Sequence, residues 1–331
     1  MIIETRAYAR AGLLGNPSDG YYGKTISIIV RNFGASISLY ETPELRIEES
    51  DVDQNTFRNI FHMVDSVKLT GYYGGTRLIK ATIKKFVEYC ESSNMRLKNK
   101  NFTIRYRSSI PRQVGLAGSS AIVTASMKAL MQFYEVDIPK HILPTIILKT
   151  ETEELGINAG LQDRVIQVYE GCVFMDFDKE FLQKNGFGKY ENLDPALLPK
   201  FYLAYKVELG KVSGTILSNI REKYEKGDPF VMDTLAELAG LAEQGRKVIL
   251  QKDYRTLSEM MNRNFDLRCK IMKISDSNME LVMTARNCGA SAKFSGSGGA
   301  IIGMYEDDEM LRRLIVSLGK INARVIKPII I

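Results

Sequence analysis

Apolar and polar positions alternate along some stretches of this chain and recur at helical spacing along others. Ile2 to Ala9, Thr25 to Val30 and Ala35 to Tyr40 read as strands. The last two flank Asn32–Phe33–Gly34, a turn signal that predicts a hairpin. Leu78, Ile79, Ile83, Phe86, Val87 and Cys90 share one helical face behind Gly74–Gly75. Phe102 to Arg107 alternates as a half-buried strand, and the basic stretch Arg105 to Arg112 has the pattern of an edge strand. A helix is expected from about Ser119 to Tyr134, a second ending near Gly156, and a buried strand from Cys172 to Phe177. Lys184 to Pro199 is rich in Gly, Asn, Asp and Pro and reads as a linker, which divides the chain into domains 1–195 and 196–331. Beyond it come a strand, Phe201 to Val207, and long helical patterns over Met232 to Leu250 and Tyr254 to Met272. A third helix near Asn278 to Cys288 ends at Gly289, a residue suited to a left-handed C-terminal cap. Gly296 to Gly299 leads into the apolar strand Ala300 to Met304.

Composition narrows the function classes. Of 331 residues, 45% are hydrophobic and 25% charged, enough apolar mass for a sizeable core. The net charge of +6 suits anionic metabolites and is too dispersed to argue for nucleic acid. Cys90, Cys172, Cys269 and Cys288 form no paired motif, so zinc and dithiol chemistry lack support. His62 and His141 lie in no acidic or glycine-rich cluster, which argues against a histidine triad. Glu4, Arg6 and Arg10 speak against a signal peptide, and no apolar run is long enough to span a bilayer. The expected location is the cytoplasm.

Three segments carry chemistry. In the first, Gly115, Leu116, Ala117, Gly118, Ser119 and Ser120 curl before a helix, so that backbone amides and the helix N-terminus can cradle phosphate. The two hydroxyls can meet phosphate or magnesium, and a plain Ser cap after a Gly turn is the alternative. The second segment runs from Glu151 to Asp163. Its carboxylates suit a hard cation or a hydroxyl about to lose its proton, whereas Glu153 and Glu154 read as a solvated helix end. The third, Lys293 to Ala300, holds three glycines in four residues and permits close backbone approach to a ligand or another loop.

In order and spacing these segments resemble the three motifs of the superfamily of galacto-, homoserine, mevalonate and phosphomevalonate (GHMP) kinases. Arg6 to Lys24 is similar to the first motif, Pro111 to Ala121 to the second and Ala290 to Gly303 to the third. Within the superfamily, Leu14 to Asp19, Tyr72 to Gly75, Ala159 to Arg164 and Met261 to Arg268 resemble the plant-type glucuronokinase branch. Asn16–Pro17 stands where sugar kinases have Glu-His, which speaks against galactose. The resemblance implies an α+β fold, with a ribosomal protein S5 domain 2-like N-terminal domain, a ferredoxin-like C-terminal domain and the active site in the cleft between them. It implies that Ser120 and Glu151 hold Mg2+, that Asp163 is the catalytic aspartate and that Arg10 is the basic residue that accompanies it. It assigns Asp19 to sugar hydroxyls, and Gly296 and Ser297 of the third motif are expected to touch substrate. ATP and a small sugar are the expected partners of a monomer or homodimer, with no nucleic acid and no membrane. The implied reaction is phosphorylation of the anomeric hydroxyl of glucuronate. The rivals are a kinase for heptose phosphate, fucose or arabinose, and a non-catalytic sugar sensor.

One observation belongs to this chain's own pattern. Leu257, Met260, Met261, Phe265, Leu267, Ile271 and Met272 form one helical face, with Asn264 and Arg268 in its middle. A guanidinium there needs a partner. Either an internal carboxylate supplies it, or Arg268 reads a substrate carboxylate, with Arg164 and Arg263 as reserves.

Overall fold

The computed structural model describes the backbone of residues 2–48, 74–206 and 214–331 and, outside 214–219, their side chains. His62, Tyr72, Tyr73 and Val207 lie outside the described residues. In chain order the first elements are β1 (Ile2–Leu14), a 3-10 turn (Ser18–Tyr21), β2 (Lys24–Thr42), β3 (Arg46–Ile47), α1 (Gly75–Ser92), β4 (Asn101–Ser108), α2 (Gly118–Tyr134), α3 (Leu143–Thr152) and α4 (Gln162–Tyr169). Then follow β5 (Cys172–Asp176), α5 (Lys179–Asn185), β6 (Lys189–Leu193), a second 3-10 turn (Pro195–Leu197), β7 (Phe201–Lys206), α6 (Gly214–Glu225), α7 (Pro229–Gln251) and α8 (Tyr254–Ile271). The chain closes with α9 (Asp276–Asn287), β8 (Lys293–Phe294), β9 (Ala300–Met304), α10 (Asp308–Gly319) and β10 (Ala323–Ile326). They gather into two compact units, one of Met1–Ala9, Phe33–Ile110 and Gly118–Val168, the other of Arg10–Asn32, Pro111–Ala117 and Tyr169–Ile331.

In the first unit, β4 pairs antiparallel with residues 35–42 of β2 and parallel with β3. β3 reaches only Thr103 and Ile104, so among the described residues the basic stretch from Arg105 to Ser108 is paired with β2 on one side, as its charge suggested. Its inward residues Phe102, Ile104 and Tyr106 are buried with Leu78, Ile79 and Phe86 of α1 and with Val123, Met127 and Leu130 of α2. Phe102 meets Phe133 edge-on at 5.4 Å. Gly75 starts α1 because the Tyr106 ring occupies the space a side chain would fill, and its amide donates to the Tyr106 hydroxyl at 3.2 Å. Lys85 ties α1 to the end of α3 through ion pairs with Glu153 and Glu154.

In the second unit a four-stranded sheet runs β10-β7-β9-β8, all antiparallel. Tyr202, Ala204, Ile301 and Phe294 form a core with Phe265 of α8, Leu281, Val282 and Ala285 of α9 and Leu314 and Leu318 of α10. The alternation of β7 and β9 and the helical spacing of α8 to α10 thus converge on one core.

Two expectations fail. The hairpin does not form, because β2 is one strand from Lys24 to Thr42. Asn32 closes no turn: its amide nitrogen donates to the Lys327 carbonyl at 3.0 Å, and its oxygen accepts from the Ile329 amide at 2.8 Å. The stretch Lys184 to Pro199 is no free linker either, since β6 pairs with β5 from Cys172↔Leu193 to Asp176↔Lys189. Tyr190 packs edge-on against Tyr169 at 5.3 Å, and Asp194 caps the 3-10 turn that follows.

Candidate active site

Each unit holds a cluster of the residues singled out by the sequence. In the second unit, β1 brings Arg10 to the loops of the second and third motifs. Its Nη1 donates to the Gly115 carbonyl at 2.6 Å and the Ser295 carbonyl at 3.0 Å. The Gly12 amide donates to the same Ser295 carbonyl at 2.8 Å. The loops approach so closely that a Cβ on Gly115, whose φ is +68°, would lie 2.9 Å from the Gly298 oxygen and the Ser297 nitrogen. Glycine is required there by both space and backbone angle. A side chain on Gly296 would overlap the Gly115 oxygen, so the backbones of the two loops are in contact. Ser297 is exposed and Asp19, on the first 3-10 turn, is half-buried.

Two residues that the sequence did not single out as functional hold this arrangement. Lys293 is fully buried, and its Nζ donates to the Gly12 carbonyl (2.7 Å), Asn16 Oδ1 (2.7 Å) and the Phe294 carbonyl (2.9 Å). Three acceptors match the three donors of an ammonium. Burial, with Arg268 and Arg10 nearby, holds its pKa well below the usual lysine range. Asn264 accepts from the Gly15 amide at 2.7 Å and donates to the Asn16 carbonyl at 3.2 Å. Asn16, in the position that departs from the sugar-kinase pattern, is thus a buried acceptor.

Arg268 is buried against the third-motif loop. It is 1% exposed, its Nη1 donates to the Gly296 carbonyl at 2.9 Å, and its guanidinium lies 5.2 Å over the Phe294 ring. Its Nε is buried with no hydrogen-bond partner among the described residues. Burial pushes its pKa down to about 10. Among the described residues no carboxylate lies within ion-pair distance of it. The periodicity located the buried face correctly; the charge is satisfied by a loop carbonyl and an aromatic face instead of an anion.

In the first unit, α2 begins at Gly118, so Ser119 and Ser120 sit in its first turn. Glu151, on α3, is fully buried. Arg164, on α4, is 3% exposed and donates to Glu151 Oε2 through Nε at 2.7 Å and through Nη2. The Ser119 hydroxyl donates to the other oxygen, Oε1, at 2.8 Å. It is Ser119, not Ser120, whose hydroxyl reaches Glu151; Ser120 is itself buried. Arg164 Nη1 also donates to the Gly160 carbonyl at 2.8 Å and lies 3.6 Å from Asp163 Oδ2. One guanidinium therefore joins the two acidic residues. A buried carboxylate demands such a partner. Hydroxyl and carboxylate oxygens are the donor chemistry magnesium prefers. Among the described residues no group of three or more His, Cys, Asp and Glu gathers as a ready metal cage. The Ser119, Ser120 and Glu151 oxygens are of the kind that would suit a magnesium ion taking its other ligands from phosphate and water.

A phosphate-type loop entering a helix, a third loop locked against it and a buried glutamate joined by an arginine to an aspartate define a small-molecule kinase, and the comparisons agree. The model of the GHMP kinases N terminal domain matches residues 77–171, and that of the GHMP kinases C terminal domain matches residues 246–321. The chain belongs to the GHMP kinase family. It is 43% identical to the probable glucuronokinase 2 of Arabidopsis thaliana over 99% of this chain and 91% of that protein. To glucuronokinase 1 of the same plant it is 44% identical, over 91% and 84%. The structure of Streptococcus pneumoniae phosphomevalonate kinase in complex with phosphomevalonate and AMPPNP covers 99% of this chain at 15% identity with a TM-score of 0.76, a likeness that carries the fold. The GHMP kinase fold expected from the sequence is the fold observed. Among the described residues no helix is long and apolar enough to cross a membrane.

Proposed function

We propose that the protein is a glucuronate 1-kinase that transfers the γ-phosphoryl group of ATP to the anomeric hydroxyl of glucuronate. The observation that carries this reading is the identity of 43% and 44% with two glucuronokinases over nearly the whole chain. The retention of Ser120, Glu151 and Asp163 adds to it and argues against a non-catalytic sensor.

In this reading the amides of Gly115 to Ser120 take the ATP phosphates, aided by the N-terminus of α2. Glu151 and Ser120 would hold magnesium, with Ser119 and Arg164 fixing the orientation of the Glu151 carboxylate. Bound there, magnesium supplies the positive charge that neutralises the phosphate oxygens. Asp163 orients the attacking hydroxyl and accepts its proton, with the Arg164 guanidinium 3.6 Å from its Oδ2 helping to hold it in place. Arg10 fixes the Gly115 and Ser295 carbonyls and supplies positive charge to the transfer. Asp19 takes sugar hydroxyls, and Gly296 and Ser297 contribute backbone contacts to substrate. Arg268, the sequence candidate for the substrate carboxylate, acts through the Gly296 segment it holds. A boundary between the two kinase modules near residue 195 belongs to the same proposal, with the two family-model matches on either side of it. So do a cytoplasmic location and a monomeric or homodimeric state.

A substrate panel tests the reading. ADP release from ATP and magnesium is followed with glucuronate, galacturonate, glucose, galactose, fucose, arabinose and heptose phosphates. The expected result is the highest kcat/KM on glucuronate. Preference for a neutral sugar or a sugar phosphate would overturn it, as would the absence of turnover on every acceptor.

A further inference from the structure

A kinase for an acidic sugar needs an accessible cation for the carboxylate, and the second unit's cations narrow the choice. Arg268 is buried on the Gly296 carbonyl. The reserve candidate Arg263 is held by Glu237, with Nη2 and Nε 2.6 and 2.9 Å from Oε1. Arg246 is bound to Glu191, Arg286 to Asp266 and Lys24 to Glu243. Arg221 differs. It is exposed on α6, and among the described residues no carboxylate lies within ion-pair distance of it.

Its neighbourhood fits a sugar. Tyr224, three residues on and so on the same face of α6, packs its ring 4.9 Å from that of Tyr21. Tyr21 ends the 3-10 turn whose first turn carries Asp19. Burial pushes the Tyr21 phenol up to about 12; of the charges acting on it, Arg221 lowers this most, while Asp19 and Glu225 raise it. Arg221 and Asp19 each lie within electrostatic reach of Tyr21, whose ring packs on Tyr224. The chemistry is complementary to a uronic acid on three counts. Aromatic rings suit the C–H face of a pyranose, a carboxylate accepts from its hydroxyls, and a guanidinium pairs bidentately with its carboxylate.

We propose that Arg221, beside Asp19 and the Tyr21–Tyr224 pair, reads the carboxylate of the acidic sugar and sets the preference for uronic acids over neutral sugars. This rests on the function proposed above. Glu225, one turn further along α6, is the competing charge; it is exposed and holds no ion pair among the described residues.

The test compares glucuronate with glucuronamide, which keeps the same sugar skeleton and replaces the charged carboxylate at C6 with a neutral amide. For the wild type and for Arg221→Gln, Arg221→Lys and Glu225→Gln, the ratio of kcat/KM on the two acceptors is measured at low and high salt. An exposed, charge-assisted pair predicts a ratio about tenfold lower in Arg221→Gln, since about 1.4 kcal/mol is tenfold. Arg221→Lys retains part of the ratio and Glu225→Gln keeps it. The wild-type ratio falls with added salt, as it must for an exposed pair. If the wild type prefers glucuronate and Arg221→Gln keeps the full ratio, Arg221 has no such role and the function stands. If the wild type shows no preference for glucuronate, both the function and this inference fall.

Discussion

Replacing Arg164 with methionine should expose how the acidic centre is held. Methionine fills much the same volume and removes the charge. Glu151, fully buried, would lose both guanidinium donors and keep only the Ser119 hydroxyl at 2.8 Å. Asp163 would lose the cation 3.6 Å from its Oδ2. Breaking a buried pair by removing one partner costs roughly 3–5 kcal/mol, because an uncompensated charge stays behind. Urea denaturation of the purified protein, monitored by circular dichroism, should show a loss of that size. The double variant Glu151→Gln, Arg164→Met removes the orphaned charge and should recover about half of the loss or more. The coupling in the double-mutant cycle should then exceed about 1 kcal/mol. Additive effects of the two substitutions, or a loss below about 1 kcal/mol for Arg164→Met, would refute the idea that this guanidinium holds Glu151. Kinase activity should stay low in both variants, and the magnesium concentration for half-maximal rate should rise in Glu151→Gln.

Three further outcomes follow from the same geometry. Asp163→Asn should lower kcat by about a hundred- to ten-thousand-fold while ATP affinity, read by calorimetry, is kept. Gly115→Ala places a methyl group 2.9 Å from two backbone atoms at φ +68°; activity should fall sharply, whereas Gly156→Ala, with a similar φ and nothing nearby, should spare the loop contacts and cost only local backbone strain. Lys293 binds its proton more weakly in the folded protein than in the unfolded chain. The unfolded chain therefore holds more protons between the depressed value and about 10.4, and the Lys293 contribution to stability rises with pH across that window. Lys293→Met should flatten that rise in denaturation curves recorded from pH 7 to pH 10, and an unchanged slope would contradict it.

The parts of the fold that were legible in the sequence are those set by local pattern. The helix Gly118 to Tyr134 behind its glycine loop, the buried face of α8 and the glycine loop before Ala300 follow from spacing and glycine content over a few residues. Long-range pairing was not legible. Arg164 finds Glu151 from 13 residues away and Lys293 finds Asn16 from 277 away, and neither pairing leaves a periodic trace. The same limit explains the missed strand through Asn32 and the missed β6. Turn-type residues break a strand only when nothing else satisfies their polar groups, and here the chain near Ile329 and the edge of β5 do so. Arg268 was found by its place on an apolar face, but whether it met an acid, a ligand or a carbonyl depended on a loop 28 residues on.

The most direct measurement of the central claim is the product itself. Purified protein incubated with ATP, magnesium and glucuronate should give, by phosphorus and proton NMR, a sugar phosphate whose phosphorus couples to the anomeric proton, with ADP formed in equal amount. An unphosphorylated sugar after ATP consumption, a phosphate on any other hydroxyl, or phosphorylation of glucose in preference to glucuronate in a mixture of the two would contradict it.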